Sequence, residues 1–412
     1  MSLTASRRRR TGITGGTIGI AIVAAVAIYL PLTLLAPLST VSATPAAITD
    51  PTPAPVAFAW PAHGASAVEA VGYPQSLAVN GSTDALPIAS ISKIITSLVV
   101  LEAKPLALDE AGPTITFSAA DAALVKKYQS VNGKTVPMVA GASMSERDLL
   151  GVALLASANN YAAVLADWAY GSDGAFVTAA KAWLASHGLA HTTLLEPTGL
   201  NPGNRSTTTD LVSIGKLALG SPVVARIVST PSLTVPGVGT VNNGNALLGH
   251  DGVEGIKTGT LDQAGACLLF AAEFLVGGTT ITVVGAVLGG VDHPAVNADV
   301  RALLASVKAG FHDVKLTSRG ESFATYSTPW KQKARAVALR AASIVVWSNP
   351  KVASSVVTKS VYLARKGSPA GRVVFTVGDQ KVSVPLEFDR GLQDPGAWWR
   401  LTNPGTLLAA SR

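Results

Sequence analysis

A chain of 412 residues, 48% hydrophobic and 14% charged, is long enough for two or three domains with a sizeable core and too apolar to stay disordered. Its net charge of +7 misleads: four of the 32 basic residues are Arg7, Arg8, Arg9 and Arg10, and the rest nearly balance the 25 acidic ones. That balance leaves no clustered basic face with interleaved aromatics, so nucleic acid is excluded as a partner.

Behind the four arginines, residues 13–35 ("ITGGTIGIAIVAAVAIYLPLTLL") carry no charge. About 20 apolar residues span a bilayer as a helix, and arginines ahead of such a run hold the N-terminus in the cytoplasm. An N-terminal anchor segment over residues 1–43, with a single membrane span at 13–35 and the bulk of the chain translocated, is therefore expected. The competing reading is a signal segment cleaved near Ala43, because Val41-Ser42-Ala43 offers small residues. The Pro-rich stretch 44–57 ("TPAAITDPTPAPVA") reads as an extended linker.

Residues 58–310 mix strands and helices as one α+β domain. Strands are expected at "VAFAW" and "ASAVEAV", a buried helix over 91–102, and a longer helix over 146–170 that is apolar on nearly every face. Helices over 173–187, stopped by Gly188, and over 206–219 follow. Two adjacent strands, 255–274 and 279–289, and a helix over 295–310 close the domain. Strands at both ends with helices between them predict a sheet that joins the beginning of the domain to its end. Cys267 lies in "AGACLLFAAEF", a buried-strand pattern; a lone cysteine forms no intramolecular disulfide, and this one reads as core. Residues 311–412 turn to short β-rich runs such as "GRVVFTVG" and "QKVSVPLEF", a small all-β domain. In its tail Trp398 and Trp399 are expected to pack on that domain.

Three short motifs carry chemistry. "PIASISK" places Ser90 and Lys93 one turn apart at the start of an apolar helix, where a buried amine can act as base toward a hydroxyl nucleophile. The spacing recurs at Ser213/Lys216 and Ser348/Lys351, so by itself it also describes an exposed helix face. "SAN" puts Ser157 and Asn159 inside the apolar run 146–170, either as site groups or as a local helix break. "KTGT" offers a cation and a hydroxyl at Lys257 and Thr258, with Gly259 allowing close approach to the backbone. "NGKTV" at Lys134 shares the Lys-Thr pair without the glycine. His187 and His191 have zinc-helix spacing, but Gly188 intervenes and no glutamate follows, so they read as helix-end residues.

In this order the three motifs resemble those of the penicillin-recognising serine enzymes. The stretches around the second motif and the β-rich continuation look like the low-molecular-mass D-alanyl-D-alanine carboxypeptidases. The resemblance covers residues 56–387. It implies a transpeptidase/β-lactamase-like α+β fold, with a helical cluster on an antiparallel sheet, followed by a small all-β domain. It also implies removal of the terminal D-alanine from peptidoglycan stem peptides, β-lactam antibiotics as covalent inhibitors, and no cofactor or metal. On the matching positions, Ser90 attacks, Lys93 accepts its proton, and Ser157 passes a proton to the leaving D-alanine. Asn159 holds the acyl-side amide, Lys257 and Thr258 bind the terminal carboxylate beside Gly259, and the N–H groups of Ser90 and Thr260 form the oxyanion hole.

The chain departs from the family pattern in several places. Ala158 and Asn160 stand where the second motif most often has Gly and Asp, Thr198 stands where the family has His before Gly-Leu, and the run ahead of the first motif differs. These departures leave a weakly active or purely binding descendant as the alternative. A β-lactamase is a further rival, since "EPTGLN" from Glu196 to Asn201 echoes a deacylation motif with one residue too many.

Overall fold

The computed structural model describes residues 8–48 and 50–410; Arg7, at the head of the basic cluster, lies outside the described residues. The chain forms two compact units, one over Ala54–His312 and one that combines the stretch up to Pro53 with Asp313–Arg412.

In the unit Ala54–His312 five antiparallel strands lie in the order Val253–Leu261, Gly265–Val276, Thr279–Gly290, Ala65–Ala70, Tyr73–Gly81. The expected joining of the domain's two ends happens here, where Ala65 to Ala70 run against Leu288 to Val283. All six residues of Ala65–Ala70 are buried, as suits an inner strand covered on both faces. Helix Thr208–Gly220 contacts three of these strands, and His293–Ala309 contacts two. Helix Ser92–Ala103 is buried without interruption from Ser92 to Val100 and packs against Glu146–Leu155, Asn159–Tyr170, Asp173–Ser186 and Thr208–Gly220. Hydroxyl caps set where helices begin: Ser145 accepts from Asp148 N at 3.1 Å, and Thr207 from Asp210 N at 3.2 Å. The second cap starts its helix two residues later than "STTTD" suggested.

Two expected elements differ. "VAFAW" is not a strand, for Pro55 and Pro61 bracket it and remove ladder donors at both ends; Phe58 and Trp60 stack instead, with centroids 4.7 Å apart. The helical run 146–170 breaks into Glu146–Leu155 and Asn159–Tyr170, because Ser157 takes a left-handed backbone at φ 57. Apolar periodicity cannot register one residue that reverses φ.

The other unit is built on a six-stranded antiparallel sheet in the order Ala43–Pro45, Ser322–Ser327, Lys333–Ala338, Gln380–Phe388, Pro369–Val377, Val352–Thr358. Phe311–Thr317 pairs with Ala342–Trp347 in a second, two-stranded sheet. The segment 44–57 thus begins inside a strand, with Thr44 opposite Thr325. An N-terminal helix, Arg8–Leu34, includes the apolar stretch Ile18–Leu34. Among the described residues no single helix is long and apolar enough to cross a membrane. The tail folds as two short helices, Gly396–Thr402 and Pro404–Ala410. Trp399 meets Trp330 edge-on at 5.6 Å, whereas Trp398 is 80% exposed, so only one of the paired tryptophans packs as expected.

Candidate active site

The polypeptide enters helix Ser92–Ala103 through a tight 3-10 turn, Ala89–Ile91, with Ala89 in the left-handed region at φ 45. For a residue with a Cβ that conformation costs about 1–2 kcal/mol, so the surroundings must hold it. Ile88 N–H donates to Asn204 O at 3.0 Å, and Ser92 Oγ donates to Ala89 O at 2.8 Å. Two glycines let other backbones close on the turn. A Cβ at Gly199 would stand 2.1 Å from Ala89 O, and one at Gly259 would stand 3.0 Å from Ile88 O and 3.3 Å from Ser90 N. Strand Val253–Leu261 therefore runs directly past the Ser90 amide.

Lys93, fully buried, donates from Nζ to Ser90 Oγ at 3.1 Å and to Thr198 O at 2.6 Å. Burial pulls its pKa down to about 7, with Glu196 opposing the fall and Lys134 adding to it. Lys257 is likewise buried, and its pKa is held well below the usual lysine range, first by burial and then by Lys93 and Lys134. The loop that presents Thr198 O is organised by Glu196, whose carboxylate accepts from Thr198 N, Gly199 N and Asn201 N and from Asn204 Nδ2. Glu196 of "EPTGLN" is thus committed to its own loop.

Ser157 lies between the two helices, and the next residue, Ala158, has an ordinary extended backbone at φ −71, ψ 117. A methyl at that position is unstrained, and Ala158 is buried in the core. Asn159 donates its N–H to Lys134 O at 2.8 Å, while its buried Nδ2 has no hydrogen-bond partner among the described residues, a donor left for an occupant of the site. Ser90, Ser157, Asn159, Thr258, Gly259 and Thr260 line one cleft of about 370 Å³; Lys93 reaches it through Ser90, and Lys257 sits in the strand beside Thr258. All eight residues singled out from sequence thus converge on one place.

Two residues of the cleft region were not singled out. Lys134 lines the cleft and lowers the pKa values of Lys93, Lys257 and His293. His293, in the first turn of His293–Ala309, has Nε2 2.7 Å from Thr260 Oγ1. Its pKa is lowered by burial, then by Lys134 and Lys257, against the pull of Asp292. "NGKTV" was visible as a partial match, but nothing local marked His293. Elsewhere, His187 stacks on Trp183 with ring centroids 4.2 Å apart, His191 N–H donates to Asp210 Oδ2, and Cys267 is buried with its thiol pushed up to about 11. Among the described residues no group of three or more His, Cys, Asp and Glu side chains is placed to hold a metal.

A family profile described as D-alanyl-D-alanine carboxypeptidase, peptidase S11, matches residues 74–289, just over half of the chain. A D-alanyl-D-alanine endopeptidase of Pseudomonas aeruginosa is 34% identical over 191 residues, which make up 45% of this chain and 58% of that protein, less than two thirds of its length. The crystal structure of the Streptomyces K15 DD-transpeptidase superposes with a TM-score of 0.52 at 27% identity, covering 63% of this chain and 98% of that one. A peptidoglycan synthesis regulatory factor (PBP3) of Streptococcus pneumoniae shares the fold at a TM-score of 0.57 and 21% identity, over 82% of this chain and all of that one.

Proposed function

Because the chain belongs to the S11 family of D-alanyl-D-alanine carboxypeptidases, we propose that it is an exported serine peptidase that removes the terminal D-alanine of peptidoglycan stem peptides. The observation that carries this reading is the 3.1 Å contact from Lys93 Nζ to Ser90 Oγ, made by an amine whose pKa burial brings to about 7. At neutral pH about half of such amines are uncharged and can take the serine proton.

In this reaction Ser90 Oγ attacks the carbonyl between the two D-alanines, and its proton passes to Lys93. The developing oxyanion is met by the Ser90 and Thr260 N–H groups. Lys257 and Thr258 take the terminal carboxylate, and Asn159 Nδ2 holds the acyl-side amide. Ser157 relays a proton to the leaving amine, the C–N bond breaks, and D-alanine departs. Water then cleaves the ester on Ser90 and restores the hydroxyl. β-Lactams acylate the same serine. The helix Arg8–Leu34 serves export as anchor or signal segment.

The test is a peptide ending in D-Ala-D-Ala, with release of D-alanine measured for the wild type and for Ser90→Ala. No release by the wild type, or equal release by the variant, overturns the reading. The name of the Pseudomonas aeruginosa relative supports a second reading, an endopeptidase. Cross-linked dimeric peptides cut faster than free pentapeptides would favour it.

A further inference from the structure

Lys134 stands in the cleft, yet the acyl-transfer steps leave it without a task. Its place is fixed by backbone: Asn159 N–H donates to Lys134 O at 2.8 Å, and the Asn160 amide clamps Val136 two residues on. That puts Lys134 on the wall built by Asn159, while Thr258 and Thr260 come from strand Val253–Leu261. The strand takes the terminal carboxylate in the proposed reaction, so the Asn159 wall faces the acyl half of the substrate.

The Lys134 side chain is exposed to solvent, and among the described residues no carboxylate forms an ion pair with it. Asp262 lines the same cleft from the turn that follows the strand, without pairing to it. The reach of the Lys134 charge is visible in the lowered pKa values of Lys93, Lys257 and His293. An unpaired cation fixed beside the acyl half of a peptide site attracts a negative group carried there.

We propose that Lys134 is a specificity residue that pairs with a carboxylate on the acyl side of the substrate. The cleft then selects stem peptides that carry a second acidic group, upstream of the scissile bond. The inference rests on the carboxypeptidase reading and names the substrate class within it. Because Lys134 is exposed, the gain is that of a solvent-screened ion pair, about fivefold, and it shrinks as salt is added.

Two peptides ending in D-Ala-D-Ala, identical except for a carboxylate or a carboxamide on the side chain of the preceding residue, test this. For the wild type the acid is expected to have the higher kcat/KM by about fivefold, mainly through KM, with the ratio falling toward one at high salt. Lys134→Gln should bring the ratio to about one. Lys134→Glu should invert it, a gain that misfolding cannot mimic. A wild-type ratio near one, or a ratio unchanged in Lys134→Gln, overturns the inference alone. No release of D-alanine from either peptide overturns the carboxypeptidase reading and this inference with it.

Discussion

Asn160 grips Val136 with both ends of its amide: Oδ1 accepts from Val136 N at 3.2 Å, and Nδ2 donates to Val136 O at 2.9 Å. This fully buried side chain occupies the position where the family most often has aspartate. A carboxylate could accept from the N–H but would confront the Val136 carbonyl. Asn160→Asp, which restores the family letter, is therefore expected to cost about 1–3 kcal/mol of stability and to slow acylation by loosening the segment that Asn159 is bonded to. Denaturant midpoints and labelled-penicillin kinetics measure both effects; a variant as stable and as fast as the wild type would refute the point.

In the proposed reaction the uncharged Lys93 amine takes the Ser90 proton, so the acylation rate should climb as pH rises through about 7. Two neighbours tune that midpoint in opposite directions. Lys134 lowers the Lys93 pKa, so Lys134→Gln should move the midpoint to higher pH. Glu196 raises it, so Glu196→Gln should move the midpoint lower. Rates of labelled-penicillin acylation between pH 5 and 9, a span of about two units on either side, give all three curves. Shifts of the same sign in both variants would contradict the electrostatic account.

Gly259 and Gly199 both approach the turn at Ala89, yet alanine should harm them differently. At Gly259 the new methyl meets Ile88 O at 3.0 Å and Ser90 N at 3.3 Å, so the strand must retreat by a few tenths of an ångström from Ser90. Gly259→Ala is expected to lower kcat/KM about tenfold or more with little loss of melting temperature. At Gly199 the methyl would fall 2.1 Å from Ala89 O, on a backbone with φ 86. Gly199→Ala is expected to cost about 2 kcal/mol or more in unfolding free energy.

The Cys267 thiol is buried between strands, and burial pushes its pKa to about 11. It should resist alkylation in the native protein at pH 8 and react once denatured, as mass spectrometry of iodoacetamide-treated samples would show. Rapid native labelling would mean that the strand Gly265–Val276 opens.

The three motifs were legible because each is local: a serine and a lysine share a helical turn, and a lysine, threonine and glycine share a strand. Their convergence was legible only through family resemblance, since it depends on sheet pairing and on the Gly259–Ser90 approach. Strands such as Ala65–Ala70 and Thr279–Gly290 showed in their apolar runs, whereas the bracketing prolines that keep 56–60 out of the sheet were outweighed by its apolar letters. Lys134 and His293 escaped for a different reason. One sits in a polar loop whose place is set by Asn159 and Asn160, and the other opens a helix whose contact with Thr260 spans 33 positions. Neither relationship leaves a period or a spacing behind.

The break at Ser157 also bears on which letters of the second motif can drift. Ala158, at φ −71, accepts any small side chain that its buried surroundings can hold, so glycine is dispensable there. Ser157, at φ 57, is the strained position. A β-branched residue is a genuine outlier in that backbone, so threonine is barred although it carries the same hydroxyl. Over long divergence the middle letter can wander while the serine stays, and a pattern that insists on the glycine overlooks family members built like this one.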